Sequence, residues 1–167
     1  SELEKLNIEK EGVGLFISGH PLDAYKFEME SFCNTQVSEL NDLESLANKT
    51  EVKVGGIVTS VAHRQTKTGK PFGTLTLEDY GGSFTFFMFG DDYLANKQFY
   101  ENGWFIFISG RVGKKPWGDQ ALEFKISKVE LLSELRDKRT KSLSISLDVN
   151  AINEDLIVEL DNLCQTF

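Results

Sequence analysis

From residue 52 to residue 130 the chain alternates short apolar runs with glycine-rich or charged breaks, and that rhythm leaves few folds open to it. The stretch begins Val52-Lys53-Val54-Gly55-Gly56-Ile57-Val58-Thr59-Ser60-Val61. A polar, basic loop follows, Arg64-Gln65-Thr66-Lys67-Thr68-Gly69-Lys70-Pro71. The chain returns as Phe72-Gly73-Thr74-Leu75-Thr76-Leu77-Glu78-Asp79, turns at Gly81-Gly82 and runs back as Ser83-Phe84-Thr85-Phe86-Phe87-Met88-Phe89. Three strand-like runs bounded by Gly, Pro or Asp read as an antiparallel meander. A polar gap of helical length (91–101) precedes two more apolar runs, 104–112 and 121–129.

Three strands, a helix and two strands in about 80 residues is the order of a five-stranded Greek-key barrel, the OB fold. Alternation assigns the faces. Leu75, Leu77, Phe84, Phe86 and Met88 are expected inside, and Thr74, Thr76, Thr85 and Phe87 outside, with Phe89 on the side of Phe87. Gly55-Gly56 is the expected place for the first strand to kink or bulge. The fourth strand, Trp104-Phe105-Ile106-Phe107-Ile108, is apolar on both faces, so its orientation is not readable. In the fifth, Leu122, Phe124 and Ile126 alternate with Glu123 and Lys125, and the pattern slips near Ser127, which predicts a bulge or the strand's end.

The flanks differ. Residues 3–17 read as a helix, with Leu3, Leu6, Val13 and Phe16 near helical spacing. Gly19 can end it, and Pro21 suits the first turn of a second short helix reaching about Phe32. Residues 33–38 read as extended or irregular. Asn41 or Asp42 is placed to cap a short helix through Leu46. Residues 131–141 are charged and linker-like, helical at first. Residues 142–148 alternate as a half-buried strand does, and 152–163 read as an amphipathic helix with Ile152, Leu156, Leu160 and Leu163 on one face. One strand and one helix cannot close a core, so this reads as the start of a further domain. The expected organisation is mainly β: a helical lead-in over 1–50, the OB barrel over 51–132, and a linker with a truncated α/β stub over 133–167.

Net charge is -8. Residues 51–130 carry 10 Lys and Arg against 9 Asp and Glu, and the flanks hold the remaining 8 basic and 17 acidic residues. The acid therefore lies outside the barrel, and any nucleic-acid contact must come from a local patch. No run approaches the ~18 apolar residues that would span a bilayer, and the first residues lack the apolar core of a signal peptide. Cys33 and Cys164 make neither a metal spacing nor a disulfide framework, so two reduced thiols and a cytoplasmic setting are expected. No cofactor is called for.

Arg64, Lys67 and Lys70 fall in the first hairpin loop, and Lys114, Lys115 and Trp117 in the loop between strands four and five. In OB domains these two loops flank the binding face. Single-stranded nucleic acid suits such a groove, with cations tracking phosphates and aromatic rings stacking on bases. Phe87 and Trp117 are the stacking candidates, Phe72 is a third, and Arg111 joins the basic set. Against this stands the plain reading that hairpin tips are polar because they are solvated, that Trp117 packs as a lid and that Phe87 meets a neighbouring domain. No catalytic constellation can be placed. His20 reads as a residue fixing a helix–helix turn, and His63 as a surface residue. Asp91-Asp92 read as helix-cap residues, and Glu78-Asp79 as turn chemistry before Gly-Gly. No metal ligands are expected.

Glu9-Lys10-Glu11 followed by Leu15-Phe16-Ile17-Ser18-Gly19-His20-Pro21-Leu22-Asp23 resembles the segment that precedes the OB domain in the alpha (catalytic) subunits of bacterial DNA polymerase III. Val54-Gly55-Gly56-Ile57-Val58, Thr66-Lys67-Thr68-Gly69-Lys70-Pro71, Thr76-Leu77-Glu78-Asp79 and Gly82-Ser83, closing on Phe89, resemble that OB domain itself. The resemblance covers roughly residues 3–132. The OB pattern alone is less specific, because anticodon-binding domains of some aminoacyl-tRNA synthetases share its Gly-rich first strand and its Leu-Glu-Asp. The resemblance implies a non-catalytic piece of a replicative polymerase whose catalytic domains lie elsewhere in the parent chain. It implies weak, sequence-independent binding of single-stranded template DNA, carried by Arg64, Lys67, Lys70, Lys114 and Lys115. It implies holoenzyme partners, the sliding clamp and the clamp-loader tau subunit, through the parent chain, and no membrane. Pro116 and Trp117 are not typical of that family. Two alternatives stay open: a spacer module docking on polymerase or clamp-loader subunits, and a tRNA anticodon-binding domain.

Overall fold

The computed structural model describes residues 19–115, 121–142, 146, 148 and 152–166. The helix read over 3–17, most of the strand read over 142–148, and Trp117 lie outside the described residues. Five strands, β1 (Val52–Gln65), β2 (Pro71–Asp79), β3 (Gly82–Phe89), β4 (Phe105–Lys114) and β5 (Leu122–Leu131), form one antiparallel sheet in the order β3-β2-β1-β4-β5. Helix α3 (Gly90–Asn96) and a 3-10 turn (Lys97–Phe99) connect β3 to β4. This is the OB order read from the sequence, with one correction. The barrel is open, because among the described residues no ladder joins β3 to β5. Along an antiparallel sheet of this order the two edges run in the same sense, so closing it directly would need a parallel ladder. Rings meet at the seam instead, Phe86 against Phe124 at 5.9 Å between centroids.

The face assignments hold. Leu75, Leu77, Phe86 and Met88 are buried in the barrel core with Val54, Val58, Ile106 and Ile108. The slip near Ser127 is a bulge: Ser109 pairs with Lys128 and Gly110 with Ile126, so Ser127 has no partner. The ambiguity of β4 also has its reason, since both faces are covered. Ile106 and Ile108 point into the barrel, while Phe107 packs under a second cluster with Leu22, Leu132 and Leu135. Each of these four is fully buried, which contributes roughly 1.5–3 kcal/mol apiece.

That second cluster binds the lead-in to the barrel. A 3-10 turn (Pro21–Tyr25) and α1 (Lys26–Phe32) lie against α4 (Leu132–Arg139), the helical start of the segment read as linker-like. Glu28, itself buried, meets Arg136 at 2.9 Å. Glu130 accepts from Lys128 at 2.8 Å and Arg139 at 2.6 Å. Burial would raise the Glu130 carboxyl, but these two cations outweigh it and hold it below the usual range. A 3-10 turn (Val37–Asn41), unread in the sequence, precedes α2 (Leu43–Leu46), which Asp42 caps by accepting from the Ser45 N–H at 3.4 Å. Helix α5 (Glu154–Thr166) leaves Ile157, Val158 and Leu163 exposed. No helix among the described residues is long and apolar enough to cross a membrane.

The glycine pair in β1 does not mark the bulge. The register of β1 on β2 shifts between Val58 and Ser60, so Thr59 is the extra residue. The glycines serve close approach. A Cβ on Gly55 would lie 2.6 Å from Met29 Sδ, and one on Gly56 would lie 2.5 Å from the Glu78 carbonyl oxygen and 2.8 Å from Leu77 Cγ. Backbone cannot step aside as a flexible side chain can. Gly56→Ala is therefore expected to cost roughly 1–3 kcal/mol. The readout is a lower urea midpoint at an unchanged m-value, and an unchanged midpoint would refute it.

Candidate nucleic-acid interface

Register places three rows side by side on the outer face of β1, β2 and β3. Arg64 stands opposite Phe72, and Phe72 opposite Phe89. Ala62, Thr74 and Phe87 make the next row, and Ser60, Thr76 and Thr85 the third. Directly opposed residues on neighbouring strands share a face, so one arginine and three phenyl rings stand together. Phe72 and Phe89 stack at 5.2 Å and 18°. Phe87 and Phe89 are 62% and 55% exposed. The Thr76 and Thr85 hydroxyls meet at 2.9 Å. A face of flat rings and small hydroxyl residues admits a base edge-on or stacked, without side chains that read its edge.

The loop beside these rows is short and built. β1 extends to Gln65 and β2 starts at Pro71, so Arg64 lies on a strand, not in the loop as read from the sequence. Thr66 N–H donates to the Lys70 carbonyl at 2.8 Å, Gly69 N–H to the Thr66 carbonyl at 2.9 Å, and Lys70 N–H to the Thr66 hydroxyl at 3.0 Å. Gly69 takes φ +79, a left-handed value that glycine adopts without strain. Lys67 and Lys70 thus project from a closed loop adjoining the Arg64–Phe72–Phe89 row.

The second basic group is separate. Arg111 and Lys114 lie on β4, opposite Lys125 and Leu122 of β5, and Lys115 N–H closes the base of that hairpin on the Ala121 carbonyl at 2.9 Å. β1 pairs with β4 through Val52–Ile57 and with β2 through Ile57–Gln65, so the two groups sit at opposite ends of β1. They flank the face and do not adjoin. Among the described residues no carboxylate forms an ion pair with Arg64, Lys67, Lys70, Arg111, Lys114 or Lys115. These six cations are available to an anionic ligand, whereas Lys125 and Lys128 are engaged by Glu123 and Glu130.

A cleft of about 820 Å³ opens between β3 and β5, walled by residues 84–89 and 123–129 and floored by α3. Of the candidates read from the sequence only Phe87 lines it. Phe89, Lys125 and Lys128 line it too, and none of the three had been singled out. Alternation had placed Phe89 on the correct face, but only register pairs it with Phe72. A second cavity, of about 440 Å³, lies between α1 and the β2–β3 turn. Asp23 and Asp79 on its wall are already engaged. Asp23 accepts from the His20 backbone N–H and from the Tyr80 hydroxyl, each at 2.9 Å, and these two bonds hold its carboxyl below the usual range. His20 Nδ1 accepts from the Leu22 N–H at 3.1 Å, and its ring lies 4.4 Å from that of Tyr80. His20 fixes the turn, as its place in Ser18-Gly19-His20-Pro21 suggested, and it also packs the lead-in onto the β2–β3 hairpin. His63 is exposed, as expected, and its Nδ1 sits 2.7 Å from the Tyr93 hydroxyl.

Fold and face together define a class. Residues 52–132 match the model of the family described as an OB-fold nucleic acid binding domain. Over nearly its whole length, lead-in included, the chain is similar to DNA polymerase III subunit alpha. The Pseudomonas aeruginosa protein is 26% identical over 160 residues, covering 96% of this chain and 13% of its own length. The Borreliella burgdorferi protein is 32% identical over 156 residues, 90% of this chain and 13% of its own length. The Escherichia coli K12 protein is 27% identical over 155 residues, 93% and 13%. The chain thus spans about an eighth of the length of these relatives. Among solved structures, the yeast Stn1–Ten1 structure aligns at TM-score 0.42 and 15% identity, covering 78% of this chain and 82% of that one. The SSB domain of a Synechococcus sp. protein aligns at 0.34 and 11%, covering 47% and 91%.

Proposed function

We propose that this chain is the OB-domain region of a replicative polymerase alpha subunit and binds single-stranded template DNA weakly and without sequence preference. The parent chain is then a DNA-directed DNA polymerase of the cytoplasm. It meets the sliding clamp and the clamp-loader tau subunit through segments beyond the barrel. The observation that carries the reading is the Arg64–Phe72–Phe89 row with Phe87 beside it, next to a loop whose lysines have no carboxylate partner among the described residues. Stacking on phenyl rings tolerates any base, and lysines meet phosphates as point charges. In this arrangement sequence preference has no source and affinity depends on salt. Lys114 and Lys115 extend the cationic track to the far end of β1, with Arg111 on the strand between.

The test is fluorescence anisotropy of a labelled oligothymidine at two salt concentrations. Affinity that falls as salt rises, with duplex DNA bound less well, supports the reading. No binding at low salt refutes it for this chain and favours a spacer that docks on protein. Tighter binding of a structured RNA loop than of oligothymidine points to an anticodon-binding domain instead. Within this experiment, Lys67→Glu/Lys70→Glu is expected to weaken binding at low salt and to flatten the salt dependence by about 1.4 in log–log slope, two phosphates at ~0.7 each. An unaltered slope removes the β1–β2 loop from the interface.

A further inference from the structure

We propose that the open seam between β3 and β5 is a docking site for an extended peptide of a partner protein, which enters as a sixth strand antiparallel to both edges. Four observations converge on it. Among the described residues neither outer edge makes a backbone–backbone hydrogen bond, and beyond Ser83, whose carbonyl accepts from Asn41 Nδ2 at 3.5 Å, two rows of N–H and C=O groups face one cleft. β3 and β5 run in the same sense, so one strand of opposite sense makes antiparallel ladders on both sides at once. Phe84, Phe124 and Ile126 point inward and pack on the core yet are only half-buried, which shows the barrel interior reached from the seam. β3 carries no charge over Gly82–Phe89 and no proline, the devices by which exposed edges are usually blocked.

The lining states the chemistry of the occupant. Alternate residues facing inward meet Phe84, Phe86, Phe124 and Ile126 and are therefore apolar. Residues facing outward pass between Phe87 on one wall and Lys125 on the other. Arg111 stands opposite Lys125 on the neighbouring strand; Lys125 and Lys128 are paired with Glu123 and Glu130, so Arg111 leaves this outer rim net basic by one charge. Carboxylates at the outward positions match it. A peptide rather than a nucleic acid is the occupant because only a second backbone complements alternating N–H and C=O groups on both walls. The proposal does not rest on DNA binding by the outer face: Phe87 borders both sites, but either can fail without the other.

The probe is a fluorescein-labelled octapeptide of alternating valine and glutamate, titrated into the chain. Two controls accompany it: the same peptide N-methylated at alternate residues, and a peptide of identical composition with its valines and glutamates in separate blocks. The expected result is saturable binding of the alternating peptide, slower amide exchange in residues 84–88 and 124–126, and roughly tenfold or greater weakening on N-methylation, since several ladder bonds are lost together. Lys125→Glu is expected to reverse the preference toward alternating valine and lysine. Equal binding of the N-methylated or block peptide overturns the proposal, as does unchanged exchange at those amides. Protection of the same amides by oligothymidine, with displacement of the peptide, reassigns the seam to nucleic acid.

Discussion

Asp79→Ala is expected to lower the stability of the chain by roughly 3–5 kcal/mol, about two to four orders of magnitude in the folding equilibrium. Asp79 is 6% exposed, and its carboxylate gathers three backbone donors. Oδ2 accepts from the Val37 N–H at 2.8 Å, and Oδ1 from Gly81 and Gly82 N–H at 2.8 and 3.1 Å. Hydrogen bonds to a charged acceptor contribute about 1.5–3 kcal/mol each, and a buried donor left without one costs about 1–3. Alanine offers no acceptor to any of the three. Asparagine is not a rescue, because its amide group would point N–H at N–H on one side or the other. The Val37 bond spans 42 residues and ties the lead-in to the β2–β3 hairpin. Its loss should also speed amide exchange at Val37 before global unfolding. A urea midpoint within about 1 kcal/mol of the parent chain would show that water replaces the carboxylate and that the turn does not depend on it.

Asp79 also marks where sequence reading stops. Its turn role was legible, since an acidic residue before Gly-Gly bonds the backbone ahead of it. Its hold on Val37 was not, because nothing local connects residues 42 apart. The same division runs through the sheet. Alternation placed Leu75, Leu77, Phe86 and Met88 inside, and a one-residue slip located the Ser127 bulge. β4 defeated the pattern because Phe107 is buried under α1 and α4, and a strand covered on both sides has no alternation to read. Gly55 and Gly56 invited a kink, yet their need for space comes from Met29 and the Glu78 carbonyl, which the fold brings up from elsewhere. For the interface, period gave the face of Phe87 and Phe89 but not the register that stacks Phe89 on Phe72. The open seam had no signal at all, since an absent ladder leaves both edge strands looking like any other.

The outer-face rings are where the DNA reading is most exposed to refutation. Phe87→Ala/Phe89→Ala is expected to weaken oligothymidine binding roughly thirtyfold or more, since a base stacked on an aromatic ring contributes about 1–3 kcal/mol and two rings are removed. Both side chains are more than half exposed, so the fold should lose little, within about 0.5 kcal/mol per site. The phenyl groups are neutral, so the slope of affinity against salt should stay that of the parent chain, whereas the Lys67/Lys70 reversal flattens it. The two variants thus separate stacking from charge within one titration. A thirtyfold loss at constant slope assigns the rings to bases. An unchanged affinity, with the lysine variant still weakened, leaves a purely electrostatic contact at the β1–β2 loop. The exposed phenylalanines would then belong to a protein partner, and the seam they border would be the first place to look for it.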